Sequence, residues 1–154
     1  MVNQERKLIS QMHPILYHAA VWTRRIGRYM DWYFDKNMYC SKREEDSLPF
    51  RIKKHQSILL KKLGESDMQL QINKVTNLRI AIENINNIVI RPSETFSFCK
   101  LVGRPTRNKG YLEGMELSFG KAKPGIGGGL CQIPNLIHWL VMPSPLTCLL
   151  YTTD

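Results

Sequence analysis

The first helical pattern along the chain lies close to its N-terminus. Apolar side chains recur there at alternating steps of three and four, the spacing of one helix face: Ile15, Ala19, Trp22, Ile26, Tyr29 and Tyr33. Pro14 precedes them and suits a first helical turn. Because Arg24, Arg25 and Arg28 lie off this stripe, the helix is amphipathic. Its apolar face is expected either to pack against the rest of the domain or to lie on a membrane surface.

Two more helices and then a glycine-rich region are predicted after this segment. One helix covers 50–63 and ends at Gly64; the next begins at Asn73 as N-cap and places Val75, Leu78, Ile82 and Ile85 on one face. "ETFSFCKLV" (94–102) then alternates as a strand does. Eight of the ten glycines lie between Gly103 and Gly129, which predicts short strands and turns.

Helices first and strands afterwards indicate an α+β fold. In it, N-terminal helices precede a small, incomplete β-rich region, and a glycine loop leads into a final helix. The polar stretch 41–47 (SKREEDS) predicts a linker. We therefore divide the chain into a basic helical segment, 1–47, and a domain, 48–154.

Charge is concentrated in the first part of the chain. Of the net charge of +9, residues 1–62 contribute +7, from 13 basic and 6 acidic side chains. This surface suits anionic lipid, nucleic acid or wall polymer, or it is a solvated helix face. No nucleic-acid-binding motif is present, so nucleic acid is the least favoured partner, and membrane contact is assigned to the basic helix around Arg24.

Two features of the sequence bear on compartment. The stretch MVNQERKLISQMHP lacks the apolar core of a signal peptide, and no run reaches the ~20 apolar residues of a transmembrane helix. The four cysteines, Cys40, Cys99, Cys131 and Cys148, are widely separated and have no zinc-ligand spacing. We expect free thiols, no metal, no cofactor and a cytoplasmic location.

The segment "PGIGGGLCQIPNLIHWL" (124–140) carries the candidate chemistry. Four glycines in five positions indicate positive φ angles or close backbone approach, and the apolar run after them predicts a helix that begins at Cys131. Thiolates are favoured at helix N-termini, so Cys131 is a candidate nucleophile. The alternative is a small buried cysteine at a tight turn.

Neither a phosphate site nor a histidine base is indicated around this loop. It lacks the Lys-Ser/Thr of a P-loop, and Leu130 stands where a third dinucleotide-fold glycine would be. His138 shares a helix face with Cys131 but lies ~10 Å further along the axis, too far for direct proton transfer. No pattern brings His55 or the other N-terminal histidines to the thiol.

Residues 73–140 resemble the VanW family of bacterial proteins, named for an accessory gene of B-type vancomycin-resistance clusters. The blocks "ETFSF", "LVGRPT", "KGYLEG" and "GIGGGLCQ" occur in the family's order and spacing, and a weaker likeness extends back to the first helix. This resemblance implies association with the cell envelope, at the inner face of the membrane for a cytoplasmic protein, and with glycopeptide resistance. It does not supply an established reaction.

The sequence departs from the family pattern at several positions. Ser93 stands where the family usually has glycine, Pro134 where it has serine and Pro143 where it has histidine. Ser93 is therefore expected at a turn that prefers positive φ. Relatives continue after "SPLT" into strands with histidine and aspartate, whereas this chain reads "CLLYTTD", which suggests a truncated or frame-shifted copy.

The resemblance supports two hypotheses of function. In the first, Cys131 is the nucleophile of relatives that act on cell-wall peptide, Gln132 and the Gly127–Gly129 backbone supply oxyanion donors, and Asn135 contacts substrate. Because no base is present, this copy is expected to be inactive. In the second, the protein is a non-catalytic binding or scaffold domain for a wall precursor or a partner protein.

Overall fold

The structure, a computed structural model, describes residues 14–34, 38–46, 48–60, 68–118 and 121–147. The chain divides into two compact units, one that ends at Met38 and one that begins at Tyr39. The division into domains at 47 and 48 stays a prediction. Among the described helices, none is both long enough and apolar enough to cross a membrane.

The first unit contains the predicted amphipathic helix. Helix α1 covers Pro14–Phe34 and begins at the predicted proline. The side chains of its apolar stripe, including Trp22, Tyr29 and Tyr33, are exposed. The helix is therefore confirmed, and its apolar face is open to solvent.

The second unit combines short helices with short strands. Its helical elements are α2 (Met68–Glu83), α3 (Phe98–Val102), a 3-10 turn (Arg107–Lys109) and α4 (Gln132–Val141). The short strand β1 (Met38–Tyr39), which begins at the last residue of the first unit, pairs with β2 (Glu94–Thr95). Strand β3 (Glu113–Ser118) pairs antiparallel with β4 (Lys121–Ile126). The β3–β4 register runs from Glu113 opposite Ile126 to Ser118 opposite Lys121. The predicted α+β class is confirmed.

A small core joins α2 to α4. Its buried apolar side chains are Leu78, Ala81, Val102, Tyr111 and Ile133, with Ile80, Ile85, Phe98, Ile126, Leu130 and Ile137 packed around them. Because Ile133 stands in the first turn of α4, this core fixes the end of the helix that follows the glycine loop.

Three predicted elements are wrong. Residues 50–60 have no regular secondary structure, and all of them are exposed, so a helix there would bury no apolar face to stabilise it; residues 61–64 lie outside the described chain. Asn73 is not an N-cap, because α2 is already helical at Met68. The strand predicted over 94–102 ends after Thr95, since the Ser97 hydroxyl accepts a hydrogen bond from the Lys100 N–H and caps α3.

Candidate functional site

The glycine loop is a turn between β4 and α4. Gly127 and Gly129 have φ angles of 79° and 90°, a region that L side chains rarely adopt. The Gly127 N–H donates to the Leu112 carbonyl and the Gly128 N–H donates to the Gly125 carbonyl, both at 3.0 Å. These bonds explain the turn that the glycine density predicts.

Close backbone approach is the second reason for the glycines. A Cβ on Gly128 would overlap the backbone of Gly114 in β3, and one on Gly114 would overlap Gly128. A Cβ on Gly129 would meet the aliphatic stem of Lys74 in α2. The loop is thus packed directly onto β3 and α2, as close approach requires.

The side chain of Asn77 in α2 anchors the glycine loop through hydrogen bonds. Its side chain is 0% exposed. Its Nδ2 donates to the carbonyls of Leu112 (3.0 Å) and Gly128 (3.1 Å), and its Oδ1 accepts from the Leu112 N–H at 2.8 Å. The amide therefore replaces a missing backbone partner for Leu112 and ties α2 to the loop. Sequence analysis missed this residue, although an asparagine directly before the buried Leu78 was the available signal.

Cys131 lies at the predicted place. It is the N-cap residue of α4, with φ −57° and ψ −19°, and its thiol makes no capping hydrogen bond. Because Cys131 is exposed, the alternative of a buried structural cysteine is wrong. Cys40 is buried and Cys99 exposed, and all three are free thiols; Cys148 lies outside the described residues.

A groove of about 330 Å³ opens beside the start of α4. One side, here called the helix wall, consists of Lys74 from α2 together with Gln132, Asn135, Leu136 and Trp139 from α4. The other, the arm wall, consists of His55, Ser57 and Ile58 from the extended segment 48–60.

Two contacts join these walls. The Gln132 Nε2 donates to the Ser57 Oγ at 3.1 Å. The His55 ring stacks on the Trp139 indole, with centroids 6.2 Å apart and planes 16° from parallel. The groove thus combines amide, hydroxyl, cationic and aromatic groups in one place.

The predicted site residues are only partly brought together. Gln132 and Asn135 line the groove, whereas Cys131 and Gly127–Gly129 are not among its lining residues. The binding role predicted for Gly127–Gly129 stays a prediction, and in this structure the N–H groups of Gly127 and Gly128 donate hydrogen bonds within the fold. His138 is exposed on α4 and does not line the groove.

His55, Ser57 and Trp139 are groove residues that sequence reasoning did not assign. Ser57 and Gln132 are 75 positions apart, so no local pattern links them. The available signal in segment 48–60 was the presence of His55 and Ser57 among apolar side chains. This segment forms neither a helix nor a strand.

Three ionisable side chains outside the groove have shifted pKa values. Burial, followed by the Glu94 charge, raises the pKa of the Cys40 thiol, and burial raises the pKa of the Tyr111 hydroxyl. Lys42, which pairs with Glu44 at 2.7 Å, lowers the pKa of that carboxyl. Within the described ranges no three His, Cys, Asp or Glu side chains are grouped to hold a metal ion.

Comparison with known proteins places the chain in a family. The family model described as "VanW like protein" matches residues 73–153. The chain is 34% identical over 142 residues to the vancomycin B-type resistance protein VanW of Enterococcus faecalis, covering 92% of this chain and 52% of the relative. It is 41% identical over 61 residues to the uncharacterized protein YoaR of Bacillus subtilis, covering 40% and 20%.

The chain thus spans about half the length of the Enterococcus relative, and its match to the Bacillus protein covers a fifth of that protein. No solved structure matches it. The family match extends from α2 through β3 and β4 to α4 and therefore includes the glycine loop, Cys131 and the helix wall. The chain belongs to the VanW family.

Proposed function

We propose that this VanW-like chain acts at the bacterial cell envelope in glycopeptide resistance, by binding a cell-wall peptide or its precursor in the groove beside α4. The observation that carries the proposal is the composition of that groove, which places Gln132 and Asn135 amides next to the Trp139 ring and the Lys74 side chain. The association with resistance rests on the Enterococcus relative, which is a vancomycin resistance protein by name.

The groove chemistry suits a peptide. Side-chain amides can pair with the N–H and C=O groups of an extended peptide, and the Trp139, Leu136 and Ile58 side chains offer apolar surface for small side chains. Lys74 adds a basic side chain to the helix wall. A wall peptide is the ligand class that uses both the amides and the apolar surface.

Preorganisation supports binding as the main activity. The Asn77 hydrogen bonds and the Gly114–Gly128 contact fix the loop that precedes α4, so the amides of the helix wall are held before a ligand arrives. Holding the groups in place lowers the entropy cost of association.

The direct test uses a synthetic wall stem peptide with a free C-terminal carboxylate, titrated into the whole protein by calorimetry. We expect Trp139→Ala to weaken binding at least tenfold, while Met142→Ala, an exposed side chain just beyond the end of α4, leaves it within twofold. Absence of binding to the native protein, or equal affinities for native and Trp139→Ala protein, would overturn the proposal.

A second candidate function is favoured by the exposed thiol of Cys131 at the start of α4. We propose that in longer relatives this cysteine is a nucleophile toward wall peptide, with Gln132 as a donor to the developing oxyanion. Among the described residues, the Cys131 thiol makes no capping hydrogen bond and no hydrogen bond to His138, and the His55 ring stacks on Trp139. We therefore propose binding without turnover here.

Thiol labelling separates the two candidates. A nucleophilic Cys131 is expected to react with maleimide at least tenfold faster than Cys99, its exposed control, at pH 7. Peptide mapping by mass spectrometry assigns each label, and Cys40 serves as the buried reference. Equal rates at Cys131 and Cys99 would rule out an activated thiol. Thiol-dependent cleavage of the stem peptide that Cys131→Ala abolishes would disprove the absence of turnover.

A further inference from the structure

Helix α1 presents two faces of opposite character. On a helical wheel, the stripe of Ile15, Ala19, Trp22, Ile26, Tyr29, Met30 and Tyr33 falls within an arc of about 100°. Arg24 and Arg28 project from the opposite side, and Arg25 from the flank. The stripe is open to solvent: Trp22 is 62% and Tyr33 83% exposed.

We infer that α1 is a docking element for an anionic lipid surface and lies in the plane of the membrane interface. At 21 residues it is about 31 Å long, so the stripe forms one continuous apolar edge. Amphipathic helices with basic polar faces and aromatic apolar faces bind in this way, with the apolar side chains at the boundary between headgroups and acyl chains.

The positive charge of α1 favours an anionic lipid surface over a second copy of the chain as its binding partner. Helix α1 carries three arginines against one acid, Asp31, and residues 1–62 as a whole carry +7. Two copies of a chain with this net positive charge repel each other at long range, whereas an anionic surface attracts each of them.

The aromatic side chains select lipid over nucleic acid. Nucleic acid would engage the arginines and leave the Trp22, Tyr29 and Tyr33 stripe in water, since the two groups project in different directions. Indole and phenol rings have an apolar body and a polar tip, and they are enriched at membrane–water interfaces. A lipid surface takes up the stripe at the boundary with the acyl chains, and its negative surface potential, which extends about one Debye length into the water, attracts the arginines.

The test is sedimentation of the whole protein with vesicles of phosphatidylcholine containing 30% phosphatidylglycerol (about one anionic lipid in three, a level at which polybasic attraction operates). We expect binding to these vesicles, weak binding to phosphatidylcholine alone, and loss of binding at high salt. Equal binding to both vesicle types would overturn the charge argument.

Two matched pairs of variants assign the binding to α1. An arginine near an anionic surface contributes up to about a fivefold gain, and the gain is smaller for Arg24 and Arg28 because they project away from the stripe. The triple change Arg24→Gln, Arg25→Gln, Arg28→Gln should therefore reduce binding at least about tenfold. The control Arg51→Gln, Lys53→Gln, Lys54→Gln removes the same charge from an exposed segment of the second unit and should cost less than fivefold. Equal losses from the two triples would overturn the assignment.

The second pair tests the apolar stripe. Trp22→Ser with Ile26→Ser should abolish binding, while Phe50→Ser with Ile52→Ser, which are also exposed apolar side chains, should leave it intact. Circular dichroism of each variant shows whether α1 is retained. Lipid-free dimerisation that the Trp22/Ile26 variant abolishes, or salt-sensitive binding to duplex DNA with no binding to vesicles, would each overturn the proposal in favour of another occupant.

Discussion

The two walls of the groove are held in place by very different means. The helix wall stands on buried structure, since Ile133 packs in the core and Asn77 anchors the preceding loop through three hydrogen bonds. The arm wall belongs to a segment in which every described residue from 48 to 60 is exposed. It contacts α4 through an exposed hydrogen bond, from Gln132 to Ser57, and through a ring stack, of His55 on Trp139.

This difference indicates how the site is organised. Buried hydrogen bonds whose loss leaves polar groups unpaired are costly to break, whereas exposed contacts exchange readily with water. We therefore expect the helix wall to be formed in the absence of ligand and the arm wall to gain order when a ligand lies between the two. The helix wall then sets which ligand binds, and the arm wall sets mainly how tightly it is held.

The largest effect is expected from Asn77→Ala. The change removes three hydrogen bonds and leaves the Leu112 N–H and the Gly128 carbonyl unpaired, which should cost about 3 kcal/mol in the free energy of unfolding. Urea unfolding followed by circular dichroism measures it.

Asn73→Ala on the same helix is the matched control. Its Nδ2 donates to the Glu113 carbonyl at 2.9 Å in an exposed setting, so its loss should cost about 1 kcal/mol or less. Equal destabilisation by the two variants would mean that the buried hydrogen bonds of Asn77 contribute no more to the free energy of unfolding than an exposed one. The proposed difference between the two walls would then be wrong.

The next largest effect is expected from Gly128→Ala. The added Cβ would overlap the Gly114 backbone, which cannot move as the end of a flexible side chain can, and overpacking of this kind should cost about 2 kcal/mol. Gly27→Ala in α1 is the control: its Cβ meets nothing within 4 Å, so the helix should gain roughly 0.5–1 kcal/mol. A neutral Gly128→Ala would show that the loop can shift away from β3 without loss, contrary to a preformed helix wall.

The same contrast explains how far the sequence could predict this site. The turn, the start of α4 and the position of Cys131 follow from neighbouring residues. The positive φ of Ser93, 67°, confirms an expectation that came from the family resemblance, where glycine is usual. These features depend on local backbone chemistry, which a single sequence records.

The arm wall and its partners could not be predicted in this way. The helix expected over 50–63 rests on a local apolar pattern, yet residues 50–60 bury no face that would stabilise it. The placing of His55 on Trp139 and the pairing of Asn77 with Leu112, 35 positions further on, depend on how α2, β3 and α4 pack together. No periodic pattern in the amino-acid sequence predicts either of these two contacts.

The smallest effect is expected at the contact between the two walls. Ser57→Ala, Gln132→Ala and the double variant form a cycle that isolates the Gln132–Ser57 hydrogen bond. Because the bond is exposed and water can replace either partner, its coupling in the free energy of unfolding should be no more than about 0.5 kcal/mol. The same cycle measured as stem-peptide affinity should give a larger coupling, since a ligand that excludes water from the groove leaves a lone amide or hydroxyl without its replacement partner. A coupling above 1 kcal/mol in unfolding would place the arm wall among the preformed parts of the site, and the division between a fixed and a responsive wall would then have to be abandoned.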